Sequence, residues 1–476
     1  MDFTDLNFLF IFLPVFLLLS LLIRPEMKIY VIAAASLVFV FEGQTTAFIW
    51  IFALGLIGYI LGLRIEDRHN KNKNAIFYLR AGIALNLLLL LSFKLVSAYR
   101  ETFAAGSFIR DLAAPIGLSY VTFQIISYLT DVFRKNIPAE RDALRFALYL
   151  LFFPKFVSGP LIRYQPFKTE LDKNAVIPFE DLAAGLRRIL FGVSKRVLIA
   201  NQLAVTANAV FDLPSANVQP VFAWLALLAY ALQIYFDFSG YTDIALGTAK
   251  IIGLSLPENF NYPYIAQSIS DFWRRWHISL SNWFREYVFY PLERRRLKGF
   301  GQPINLLIVF LLTGLWHGVT INFLIWGGLH GIAIAAESAG GGKRLKSVWQ
   351  PLRHLYTLAI VGVAWVFFRS PTLEFALEFI GRLAGNQHGL TPMPFSQTQP
   401  FPFIEPSFIL VTAMGILLSL PLQPAWNNLR KKMETQTPYM YFALQGAEDL
   451  SAILLFSLSI AAQLSGGFTP NIYAQF

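Results

Sequence analysis

The sequence predicts an all-α fold that crosses a membrane many times, and two observations carry that expectation. The first is composition: 55% of the 476 residues are apolar, 16% are aromatic and only 14% are charged. Soluble domains run near about 45–50% apolar and about 25% charged. The polar surface that a water-facing chain of this length would need is therefore missing. The second is a succession of apolar stretches close to the roughly 20 residues a helix needs to span about 30 Å of hydrocarbon. Disordered and low-complexity classes drop out, since 45 Phe stand against 31 Gly and 25 Pro.

The apolar stretches cover 8–23, 29–41, 46–63, 77–96, 115–133 and 144–161 in the first part of the chain. Later ones cover 220–235, 304–316, 321–336, 355–368, 407–422 and 450–464, and the amphipathic stretch 186–211 is a further candidate. Several are short, so roughly 11 to 13 membrane elements are expected, some of them re-entrant or interfacial. The first stretch is not a cleavable signal, because Asp2 and Asp5 precede it and Pro25-Glu26-Met27 is no small-residue cleavage site. A single domain over 1–476 is expected, with N-terminal helices in 1–114, core motifs in about 115–336 and C-terminal helices in 337–476.

Charge gives an orientation. Loops with Arg24 and Lys28, with Arg64, Arg68, Lys71 and Lys73, and with Arg134, Lys135 and Arg141 alternate with the uncharged-to-acidic 42–45 loop. The positive-inside rule then places the N-terminus outside. The loop with Arg100 and Arg110 runs against this pattern. Further on, 385–403 carries no charge and reads as external, and Arg430-Lys431-Lys432 reads as internal. The net charge of +10 is thus read as cytoplasmic loops, with no nucleic-acid partner. The stretch 266–301 is aromatic and basic without a clean apolar run, which suits short helices lying in or dipping below the interface.

Several chemistries are excluded. Without Cys there is no disulfide, thiolate metal site or cysteine nucleophile, and the six His are too scattered for a metal cluster. Gly340-Gly341-Gly342-Lys343 lacks Walker spacing, no GxGxxG follows a strand, and no GxSxG elbow occurs.

Ionisable groups in apolar segments are expensive and therefore candidates for function. Three sets qualify: Tyr235 to Asp243, with Asp237 and Tyr241; Asp271 to Ser281, with Arg275, Trp276 and His277; and Thr313 to Gly318, with Trp316 and His317. Counting about 1.5 Å per helical residue from Ile304 puts His317 roughly 20 Å into the bilayer. A neutral imidazole there can accept a hydroxyl proton, the task of a general base in acyl transfer. Gly314 and Gly318 would let a substrate or a backbone come close. The same residue also reads as a hydrogen-bonded core histidine, and both readings stay open. Helical spacing puts Trp273, Trp276 and Leu280 on one face, with Arg274, Arg275 and His277 at a membrane boundary. His277 is a cytoplasmic-side gate, a donor-binding histidine or part of an interfacial aromatic belt; His330 is a helix contact or a second catalytic group. His69, His354 and His388 are expected to be solvated. Between Arg274 and Lys298 lie seven Lys or Arg, enough to hold coenzyme A phosphates, although the positive-inside rule explains them equally.

Taken in order, several blocks resemble the membrane-bound O-acyltransferase (MBOAT) family, and most of all its bacterial alginate O-acetyltransferase branch. They are Pro115 to Tyr120, Phe153 to Pro160, Tyr235 to Asp243, Glu258-Asn259-Phe260 with Pro263-Tyr264, Phe272 to Ser281, Gly314 to Gly318, and the ending Ile472 to Phe476. The resemblance implies a helical fold around a tunnel joining the two membrane faces, with His277 and His317 as the catalytic pair. It implies acetyl-coenzyme A as a donor substrate rather than a resident cofactor, entering from the cytoplasm of a bacterial inner-membrane protein. It implies an extracytoplasmic acetyltransferase partner and a polysaccharide acceptor outside, with Arg275, Trp276 and Trp316 shaping the path; Asp237, Tyr241 and Asn259 shape it too, orient the histidines or pack helices. The block from Val157 to Tyr164 is shared with the D-alanyl transfer branch, which uses a carrier-protein thioester. That transferase, a transporter of acylated glycans and a scaffold for a polymer-export complex are the rival readings.

Overall fold

The computed structural model describes the chain apart from residues 43–46, 104–106, 108–113, 174–176, 296–300, 392–405 and 467–476. Among the described residues every regular element is a helix. Arg110, Arg296, Lys298, most of the uncharged 385–403 loop and the aromatic ending 472–476 lie outside the described residues. The chain divides into two compact units: Met1–Ile189 with Thr242–Glu258 and Asn282–Val288, and Leu190–Tyr241 with Asn259–Ser281 and Phe289–Phe476.

The first unit holds α1 (Leu13–Leu22), α2 (Lys28–Phe41), α3 (Phe48–Asn70), α4 (Ile76–Ala98), α5 (Leu118–Phe133), α6 (Ala143–Leu151) and α7 (Tyr164–Asp172). Glycines bring α3 against α5: a β-carbon at Gly58 would meet Ile125 at 2.8 Å, and one at Gly62 would meet the Tyr128 ring at 2.6 Å. The apolar stretch 144–161 is not one span. Asp142 caps α6 through the N–H groups of Leu144 and Arg145, and the helix ends after Leu151 where Phe152 leaves helical geometry. Pro154 opens only a four-residue helix beyond it, since proline suits a first helical turn and not an interior.

Two long helices follow, α8 (Phe179–Phe211) and α9 (Pro220–Lys250). The amphipathic stretch 186–211 is therefore a membrane-length helix, with a π-helical turn over Lys195–Ala200. The span foreseen to end at Tyr235 continues to Lys250, so Asp237 and Asp243 sit inside a helix rather than at its end. Gly240 lets this helix pass close to α8 in the second unit: a β-carbon there would meet the Gly192 carbonyl and the Arg196 side chain, each at 2.7 Å.

The chain continues with α10 (Ile269–Arg275), α11 (Ile278–Phe284), α12 (Gly301–His317), α13 (Ile321–Ala336), α14 (Gln350–Arg369), α15 (Leu373–Leu383), α16 (Pro406–Leu418), α17 (Leu422–Gln436) and α18 (Pro438–Leu464), all in the second unit except residues 282–284 of α11. The aromatic, basic stretch is indeed broken into short helices, α10 and α11 among them. By length and apolarity α3, α4, α8, α9, α14 and α18 can each cross a membrane, and α16 with α17, bent by 61°, forms one more candidate. Rows of exposed Leu, Ile and Phe on α16 and α18, such as Leu410, Leu417, Leu450 and Leu454, suit a lipid surround.

α12 and α13 form an antiparallel hairpin with three residues between them, and glycine sets their spacing. A β-carbon on Gly314 would stand 2.3 Å from the Phe323 carbonyl oxygen, and one on Gly327 would stand 2.4 Å from that of Phe310. Such small-residue contacts let helix backbones touch where hydrocarbon supplies no hydrophobic drive between helices. Gly318 faces the Phe323 ring in the same way. The close approach that Gly314 and Gly318 were expected to permit is that of a neighbouring helix, not of a substrate.

Candidate functional site

Asp237, Tyr241, Asn259, Arg275, Trp276, His277, Trp316 and His317 belong to the second unit, and Asp243 to the first. His277 does not continue a helix. α10 stops at Arg275, and His277 takes φ +44, the left-handed region, before α11 begins. Histidine enters that region more readily than most residues, but the conformation still carries strain. Its surroundings hold it there. The backbone N–H of Asn261 donates to the Arg275 carbonyl at 2.9 Å, and that of Ile278 donates to the Asn259 carbonyl at 3.0 Å. The extended segment 259–261 thus brackets the turn on both sides.

Asn259 also supplies the contact that orients the imidazole. Its Oδ1 accepts from the Ser279 N–H at 3.1 Å and the Ser279 hydroxyl at 2.8 Å, and lies 3.3 Å from Nδ1 of His277. A backbone N–H can only donate, so the amide is fixed with its oxygen toward this cluster. Nδ1 of His277 then carries the proton, and Nε2 keeps its lone pair. Among the described residues Nε2 has no hydrogen-bond partner, and neither has Nδ2 of Asn259, although both are buried. Burial pulls His277 down to about 3 from the usual 6.5, so the ring is neutral. His277 is only 1% exposed, because the chain turns it inward between α10 and α11.

His317 ends α12 at the hairpin tip, where it is buried. Its ring centroid lies 4.6 Å from Trp316, 4.9 Å from Trp326 and 5.1 Å from Phe368. The Trp316 ring also lies 6.4 Å from His277, so this one indole touches both histidines. Trp276 packs below, stacked on Phe272 at 5.6 Å and 5.1 Å from Trp365. Trp273, Trp276 and Leu280 are all buried, as one helical face would give, but a turn and not a continuous helix places them.

The remaining candidates divide. Asp237 is buried and accepts from Nε of Arg196 at 3.0 Å, and the Arg196 guanidinium lies 5.7 Å from the Tyr241 ring centre. These three form one buried ionic group. Arg275 donates from Nε to Asp271 at 3.1 Å and from a terminal nitrogen to the Asn261 carbonyl at 3.2 Å, which ties α10 to the segment bracketing His277. His330 is fully buried, its ring 5.3 Å from Trp273 and 5.2 Å from Trp326. His354 is not a solvated bystander: its Nδ1 lies 3.1 Å from the Ala266 carbonyl, pinning the approach to α10 from α14.

Two residues escaped the sequence reading. Arg196 lies within the apolar stretch 186–211, so the rule that flags ionisable groups in such stretches points to it. Glu337 accepts from the N–H groups of Ile269 at 2.7 Å and Ser270 at 2.9 Å. At the end of an apolar run it looks like any boundary charge, and no local signal marks it.

The chain matches the model of the MBOAT, membrane-bound O-acyltransferase, family over residues 32–368. It is 37% identical to a probable alginate O-acetylase, AlgI, of Azotobacter vinelandii, over the whole of both chains. It is 34% identical to a peptidoglycan O-acetyltransferase of Helicobacter pylori, over 69% of this chain and 68% of that one. Its identity to a teichoic acid D-alanyltransferase of Bacillus subtilis is 31%, over 54% of this chain and 67% of the relative.

Proposed function

Because the chain belongs to the membrane-bound O-acyltransferase family and is an integral membrane O-acyltransferase, we propose that it moves an acetyl group from acetyl-coenzyme A across the bacterial inner membrane toward an extracytoplasmic polysaccharide. The observation that carries this reading is the His277 imidazole. It is buried, neutral, held through Nδ1 by Asn259, open at Nε2, and joined to His317 through Trp316.

In the transfer, the thioester C–S bond breaks, a C–O bond forms to the accepting hydroxyl, and the hydroxyl proton ends on the thiol. His317 takes that proton from the acceptor as general base. His277, on the donor side, takes up the proton on its Nε2 lone pair and delivers it to the leaving sulfur. A thioester is already activated, so the protein mainly holds two substrates in line and keeps water out. Arg275, Trp276 and Trp316 shape the donor path, and Asn259 orients His277. Asp237 and Tyr241 act from their group with Arg196. The N-terminus lies outside, and an extracytoplasmic acetyltransferase receives the acyl group.

The test uses inside-out vesicles with wild type or His317→Ala at matched expression, supplied with labelled acetyl-coenzyme A. Label reaching lumenal carbohydrate or partner protein from the wild type, with a loss of about 10²–10⁴-fold in the variant, supports the reading. Equal transfer by both removes His317 from the chemistry. The similarity to a D-alanyltransferase favours one second reading, a carrier-protein thioester as donor. It gains if acetyl-coenzyme A yields no transfer and a D-alanyl carrier protein does.

A further inference from the structure

Glu337 stands where the returning limb of the His317 hairpin ends, at the boundary between α13 and a π-helical turn over Glu337–Gly341. Its two carboxylate oxygens divide between two donors: Oε1 accepts from the Ile269 N–H at 2.7 Å and Oε2 from the Ser270 N–H at 2.9 Å. The Tyr356 hydroxyl donates to Oε1 at 3.3 Å. The next N–H, of Asp271, donates to the Ser268 hydroxyl at 3.0 Å. The opening N–H groups of α10 are therefore met by side chains, and a remote carboxylate from the hairpin meets two of them. α10 has only seven residues, and its far end leads directly through Trp276 to the left-handed turn at His277.

We propose, on the reading given above, that Glu337 is a positioning residue for acyl transfer. It locks the helix that delivers His277 to the hairpin that carries His317, and so fixes the separation of the two imidazoles. The contact lies at one end of each element and the histidines at the other, so a shift of α10 on Glu337 carries through to His277. A misplacement of about 1 Å can cost about 10²-fold in rate without changing what binds.

The experiment measures initial rates of label transfer from acetyl-coenzyme A in inside-out vesicles for wild type, E337A, E337D and E337Q, across donor concentrations. Aspartate keeps the charge but is one methylene too short to reach both N–H groups; glutamine keeps the length but turns its NH2, a donor, toward one of the two N–H groups. The expected result is kcat lowered about tenfold or more in E337A, E337D and E337Q, with donor KM within about twofold. Where E337A fails to accumulate in the membrane, E337D and E337Q decide. Wild-type kcat in E337D or in E337Q overturns the proposal, as does a rise in KM at constant kcat. Transfer by the wild type with E337D unchanged strikes this proposal alone; no transfer by the wild type strikes the proposed function itself.

Discussion

Nδ1 of His277 lies 3.3 Å from Oδ1 of Asn259, and that contact decides which imidazole nitrogen is available for chemistry. Asn259→Ala frees the ring to rotate and to change tautomer, so kcat is expected to fall about tenfold or more with the donor KM little changed. Asn259→Asp keeps an accepting oxygen and is expected to fall less. Steady-state rates in vesicles at saturating acetyl-coenzyme A check both.

Burial holds His277 near 3, against 6.5 for an exposed imidazole. Between those values the unfolded chain binds a proton that the folded site does not. Stability from this group is therefore full above about 6.5 and declines as pH falls toward 3. The melting temperature of the wild type in detergent should drop more between pH 8 and pH 5 than that of His277→Gln, measured in parallel. A pH–rate profile should likewise show no limb near 6.5 that His277→Gln removes.

The Arg196–Asp237 pair is almost wholly buried, with 1% and 9% of the two side chains exposed. Removing one partner takes an ion-pair contact from a buried charge and costs about 3–5 kcal/mol, whereas replacing both by apolar residues of similar size is close to neutral. Arg196→Met and Asp237→Leu alone should each reduce the folded yield in membranes, and the double variant should restore it. Transfer by the restored double variant would place Asp237 in the scaffold, and its absence would place Asp237 in the substrate path.

Gly314→Leu and Gly327→Leu should each wedge the hairpin open, because the first side-chain carbon already meets a carbonyl oxygen at 2.3 Å and 2.4 Å. Overpacking of this kind costs about 1–3 kcal/mol or more, read as a lower melting temperature. Gly340→Ala, which meets nothing within 4 Å, should cost less despite its φ of +115.

Much of this was legible in the chain itself. Apolar length marks α3, α4 and the hairpin limbs, and the mixed aromatic and basic character of 266–301 marks a region of short helices. What stayed hidden depends on partners far away in sequence. The break at Phe152 comes from a cap and a proline inside a stretch whose average is apolar. Asp237 and Asp243 stand among aromatics in the sequence, and nothing local shows that Arg196, 41 residues earlier, lies against Asp237. His354 was read as solvated because nothing near it in sequence shows that Ala266 lies alongside. Gly314 and Gly318 were visible, but which surface presses on them is a property of the hairpin and not of their own neighbourhood.

The left-handed backbone at His277 has an evolutionary consequence. Glycine would occupy φ +44 with less strain, but it would empty the space of a ring that is only 1% exposed and give up the contact with Asn259. The packing of the ring outweighs the strain of the turn, so durability and turnover favour the same codon. A screen that rewards only heat resistance should therefore reject His277→Gly.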